Sequence, residues 1–131
     1  MALASVIHRT VARRDAQRGL TILGFLLAAA VVVIFAMVGF RVVPAYIEYY
    51  SVKRALDDTM RGGAVDPNSP QAFRSELARR LQTSYVENVK AADAILQRSG
   101  SQLVAEIAWE RRLHMVGNAY ILLEFEASSS R

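Results

Sequence analysis

Residues 20–40, LTILGFLLAAAVVVIFAMVGF, decide most of what this chain can become. The run carries no charge over 21 positions, Thr21 is its one polar side chain, and Arg18 and Arg41 bracket it. As an α-helix it would extend roughly 31 Å at about 1.5 Å per residue, the thickness of a bilayer's hydrocarbon. The stretch predicts a single transmembrane helix over 20–43, with a basic tail over 1–19 and a domain over 44–131. A cleavable signal peptide has an apolar region of only about 7–15 residues, followed by a small-residue site. Here the run is longer and RVVPAYIEYY follows it, so the span is expected to be retained.

The net charge of +4 and the pI near 9.9 invite a nucleic-acid reading until the charges are placed. Arg9, Arg13, Arg14 and Arg18 stand against Asp15 before the span, so most of the excess sits in a short tail beside the membrane. Beyond the span the basic and acidic side chains nearly balance, which leaves no surplus for phosphate contacts. The arginine tail instead predicts a cytoplasmic N-terminus and an external, periplasmic remainder. Cysteine is absent, which excludes thiolate catalysis and Cys-based zinc sites.

Within the span, Gly24 and Ala28, with Gly39 further on, make a small-residue face that would let another helix approach. Such residues are also simply common in spans. Past Arg41 the helical period persists through Ala45, Tyr49, Val52, Leu56 and Met60, an apolar stripe that ends at Gly62-Gly63. Pro44 lacks an N–H and crowds the preceding turn, so a bend is expected near it. Tyr46, Tyr49 and Tyr50 fall where an interfacial aromatic belt would lie.

After a turn-rich loop over 64–69, Ser69 is placed to cap and Pro70 to open a second helix. Phe73, Leu77 and Leu81 form its buried face, and it should end near Gln82 or Thr83. The period then changes to two. Strands are predicted over Ala94–Arg98, Leu103–Leu113 and Ala119–Ala127, with turns at 98–101 and Gly117-Asn118 and a loose SSSR tail. Leu103, Ala105, Ile107, Trp109, Arg111 and Leu113 share one strand face, while Glu124 and Glu126 point outward on the last strand. The fold class is α+β: a long N-terminal helix, a short second helix and a three-stranded antiparallel meander that the helices cover.

Chemistry is sparse. His8 and His114 would lie on opposite sides of the membrane, too far apart to share a metal. Glu106 and Glu110 stand about 13 Å apart by the strand rise, too far for a carboxylate pair, with Arg112 as neighbour. Ser51 and Lys53 are two apart on a helix and point away from each other. No phosphate-loop, zinc-protease or nucleophile-elbow motif occurs. No catalytic residue, metal or cofactor is expected, and the chain reads as a non-enzyme.

Two resemblances follow from particular residues. Arg18-Gly19 ahead of Leu20-Thr21-Ile22-Leu23 resembles the prepilin peptidase site of type IV prepilins and pseudopilins. That implies cleavage between Gly19 and Leu20 and assembly through the helix. Those proteins usually carry glutamate at the fifth residue after the glycine, and Gly24 in that place argues against filament assembly.

The second resemblance spans most of the chain. RGLTILGF, VVPAYIEYYSVKRAL, and Trp109-Glu110-Arg111 ahead of a Gly-Asn turn and ILLEFEA resemble the domain-of-unknown-function 4845 family. These are short Gram-negative inner-membrane proteins, often encoded beside signal peptidase I and ribonuclease III. The resemblance implies architecture and location, and association with envelope export machinery. It brings no catalytic residues with it.

The expectation is a non-enzymatic inner-membrane protein, an accessory subunit of an envelope or export complex. Its partners would be the lipid bilayer and a membrane protein such as signal peptidase, a homo-oligomer also being compatible, and nucleic acid not among them. The runner-up is a pilin-like subunit.

Overall fold

Helix α1 spans Ala16–Arg61, 46 residues in one element. The computed structural model describes residues 16–63, 66 and 68–131, with the side chains of 16–20 outside that description. The expected tail over 1–19 therefore lies largely outside the described residues, as do parts of the 64–69 loop. The chain divides into two compact units, one through Met37 and one over Val38–Arg131.

In the first unit the helix turns its apolar side chains outward on every side, Phe25, Leu27, Ile34 and Phe35 among them. An apolar helix without a packed face has nowhere to hide from water except a bilayer or other helices. By length and composition α1 is a candidate membrane span.

The second unit contains the core. The α1 residues Ala45, Val52, Ala55, Leu56 and Met60 are buried along the stripe that the sequence outlines, with Tyr49 half-buried among them. The helix continues through Pro44, whose ring nitrogen has no hydrogen to give the preceding turn. Thr59 is fully buried too, and satisfies its hydroxyl by donating to the Ala55 carbonyl at 2.7 Å.

Helix α2 spans Pro70–Thr83. Ser69 caps it by accepting the Ala72 N–H at 3.4 Å, and Pro70 takes the first turn, where its missing N–H costs nothing. Phe73, Leu77 and Leu81 are its buried face, each contributing about 2 kcal/mol by removal from water. Expected and observed bounds agree because the start, stop and face signals are all local.

The end of α2 is less ordinary. Val86 N–H bonds back to the Leu81 carbonyl at 3.0 Å and Tyr85 N–H to Gln82 at 3.2 Å, the paired closure usually built around a glycine. Tyr85 holds the left-handed position instead, at φ +56°, with its side chain 91% exposed. The ring gains little packing to offset a conformation disfavoured by about 1 kcal/mol or more. Tyr85→Gly is therefore expected to stabilise the domain by about 1 kcal/mol, read as a rise in melting temperature of roughly 4–8 °C. An unchanged or lower melting temperature would mean that the tyrosine makes a compensating contact.

A 3-10 turn over Ala91–Asp93 precedes the sheet, and Arg74 Nε donates to the Ala94 carbonyl at 3.2 Å to tie α2 to its start. The strands are β1, Ile95–Ser99; β2, Gln102–Val116; and β3, Ala119–Ser130. They form an antiparallel meander in the order β1-β2-β3. Gly100 and Gly117, at φ +62° and +54°, take the first position of the two tight turns, where a side chain would be strained.

Two strand ends correct the sequence reading. β2 continues three residues beyond Leu113, and β3 does not stop at Ala127. The SSSR tail is ordered: Ser128, Ser129 and Ser130 pair with Glu106, Ala105 and Val104, and Arg131 exchanges both backbone bonds with Leu103 at 2.9 Å. The Arg131 guanidinium also donates to the Met60 carbonyl at 3.3 Å. Serine has little strand preference, but an unpaired stretch of β2 offers backbone partners that outweigh it. Because β2 is central, β3 presents its outer edge without a neighbouring strand among the described residues.

Candidate functional site

The candidate site is the face where the second half of α1 meets β2 and β3. Glu48 lies on α1 between Ala45 and Val52, on the buried side of the helix. Its carboxylate accepts from Arg111 Nη1 through Oε2 and from Asn88 Nδ2 through Oε1, the latter at 3.1 Å. The side chains are 10% exposed for Glu48 and 27% for Arg111, so the pair is largely withdrawn from water. One carboxylate thus joins the helix, the central strand and the loop after α2. Arg111 was legible as a charge on an apolar strand face, but its partner was not. The available signal was Glu48 itself, at helical spacing from Ala45 and Val52.

Beside this link the aromatic rings gather. Tyr49 stacks on Trp109 at 6.1 Å and on Phe125 at 5.7 Å, and Tyr46 meets Phe125 edge-on at 5.5 Å. The tyrosine trio therefore divides: Tyr49 faces the sheet, while Tyr50 is exposed and Tyr46 keeps about half its surface in the open. Among the described residues the buried Trp109 indole N–H finds no hydrogen-bond partner, and the ring is held by stacking and by the apolar core around it.

The remaining sequence-predicted positions are spread out. Gly19 and Leu20 are helical in backbone, with side chains outside the described residues. Gly24 and Ala28 are exposed, and a methyl group added at Gly24 would meet nothing within 4 Å. Ser51 spends its hydroxyl on the Ile47 carbonyl at 3.0 Å. His114 places Nε2 2.7 Å from the Gly117 carbonyl and its ring 5.0 Å from Tyr120; His8 lies outside the described residues. Among the described residues no three His, Asp or Glu side chains gather to hold a metal.

A groove of about 340 Å³ between α1 and α2 is lined by Arg54, Asp58, Arg79 and Arg80. Glu76 takes up two of these cations, at 2.9 Å to Arg79 and 3.0 Å to Arg80. The hydrogen bond from Arg79 chiefly holds the Glu76 carboxyl below its usual range, against partial desolvation. With Asp58 also lining the groove, its three arginines face two carboxylates, a net of one positive charge.

On the outer face of the sheet Glu110 stands directly opposite Glu124, and Glu126 opposite Ala108. This cross-strand acidic pairing depends on register, and spacing along one strand does not reveal it.

A family model described as a domain of unknown function (DUF4845) matches residues 41–125. No curated protein and no solved structure matches the chain.

Proposed function

The chain belongs to the DUF4845 family, and we propose from this that it is a non-enzymatic, single-pass inner-membrane protein with a periplasmic interaction domain. It would serve as an accessory subunit of an envelope or export complex, with signal peptidase among the candidate partners. One observation carries the reading: the helix that is apolar and outward-facing before Phe40 also supplies the buried stripe of the folded unit. The arginine-rich tail supports a cytoplasmic N-terminus.

Crosslinking in intact cells, followed by recovery of the full chain from solubilised membranes, tests the role. Co-recovery of an envelope membrane protein such as signal peptidase is the expected result, and recovery of the chain alone counts against it. A reporter active only in the periplasm, fused after Arg131, should be active; silence would overturn the topology.

The second reading, a pilin-like subunit, draws on Gly19-Leu20 at the head of a long helix that precedes an antiparallel sheet. Intact mass decides between them. Retention of residues before Gly19 excludes the pilin reading, and a mature chain beginning at Leu20 supports it.

A further inference from the structure

The path of β2 is fixed against α1 at four levels within the folded unit. Leu103 pairs with Arg131, whose guanidinium reaches the Met60 carbonyl. Trp109 stacks on Tyr49, and Arg111 bonds Glu48. Leu113 and His114 share a groove with Phe40, Arg41 and Pro44. Along β2, therefore, the chain runs back down α1 from Met60 toward Phe40, the last residue of the apolar run. β2 continues to Val116 before turning at Gly117-Asn118, and at about 3.3 Å per residue this carries the hairpin tip several ångströms further.

The outer face of the sheet changes character along the same direction. Its far part carries Glu126, followed by Glu124, which faces Glu110. Next comes Arg112 opposite Leu122, then His114 opposite Tyr120, after which a bulge breaks the alternation before Val116 and Ala119 pair at the tip. Val116 is 65% exposed, Tyr120 57% and Leu122 48%. Glu124 and Glu126 lie on the far part, Glu110 lines the groove that holds Phe40 together with Arg41, Arg112 and His114, and Tyr120 and Leu122 lie toward the tip. Apart from Glu110, this is the order that a membrane surface selects: carboxylates in water, arginines at anionic headgroups, tyrosine and aliphatic side chains at the acyl boundary.

The geometry points to a second membrane contact, in which the β2–β3 hairpin tip, through Val116, Tyr120 and Leu122, sits in the lipid headgroup layer, with Arg41 and Arg112 facing anionic headgroups. The contact rests on the reading of Leu20–Phe40 as a bilayer span. The bulge between His114 and Val116 and the turn stay at headgroup depth, where water and phosphates satisfy their polar backbone atoms.

The chain has no cysteine, so single-site labelling is direct. An environment-sensitive fluorophore is placed on Asn118→Cys, with Val33→Cys and Gln97→Cys as references, in full-length protein reconstituted into phosphatidylethanolamine–phosphatidylglycerol vesicles. The label at 118 is expected to be blue-shifted, quenched by brominated lipid, and several-fold less quenched by aqueous iodide than the label at 97. Adding Tyr120→Ser and Leu122→Ser should weaken the lipid quenching at 118.

A label at 118 as open to iodide as that at 97, with 33 quenched by lipid, overturns the hairpin contact and leaves the span standing. Shielding from iodide without lipid quenching would show the tip covered by protein, and also overturns it. A label at 33 that is open to iodide removes the span reading and the hairpin contact together.

Discussion

Replacing Phe73 with alanine is expected to remove about 4 kcal/mol of stability, the largest single effect in the domain. Phe73 is the largest of the fully buried side chains, in one cluster with Leu56, Met60, Leu77 and Ile107. Its loss strips apolar area and leaves a void between α2, α1 and the sheet that a small fold has few neighbours to fill. A domain of this size holds only about 5–10 kcal/mol in all, so the variant should sit at the margin of folding. Urea unfolding of the purified full chain, followed by circular dichroism, should show the cooperative transition shifted to much lower denaturant or lost. A midpoint close to that of the unaltered chain would mean that Phe73 is not the keystone of this core.

Glu48→Ala should cost about 2 kcal/mol, by leaving Arg111 largely buried without its counter-charge and Asn88 without its acceptor. Arg111→Met reverses the problem, stranding the carboxylate. The double substitution should be less damaging than the two single losses added together, because neither charge is then left alone. A cycle measured by the same unfolding transition should return a coupling above about 0.5 kcal/mol. Strict additivity would show that the two side chains do not act on each other in solution.

How much of this was visible in the sequence depends on the range of the interaction. The bounds of α2 follow from Ser69, Pro70 and the four-residue repeat of Phe73, Leu77 and Leu81, all within one short segment. The two glycine turns likewise announce the meander. The serine tail could not be read in this way, because Ser128–Ser130 are strand only by virtue of Val104–Glu106 opposite them. The conformation of Tyr85 was hidden for a different reason: its left-handed backbone is imposed by the closure of α2 over Leu81, and nothing in a tyrosine advertises it. Arg111 stood out as a charge on an apolar strand face, while Glu48, at helical spacing from Ala45 and Val52, went unread. Only the fold brings them together across 63 positions of sequence.

The open edge of β3 bears on how copies of this protein can associate. Isolated sheets with a free edge tend to join in antiparallel fashion, through a two-fold axis perpendicular to the strands. Two copies joined through β3 would continue the sheet from three strands to six, and the unpaired N–H and C=O groups of each outer edge would become partners across the axis.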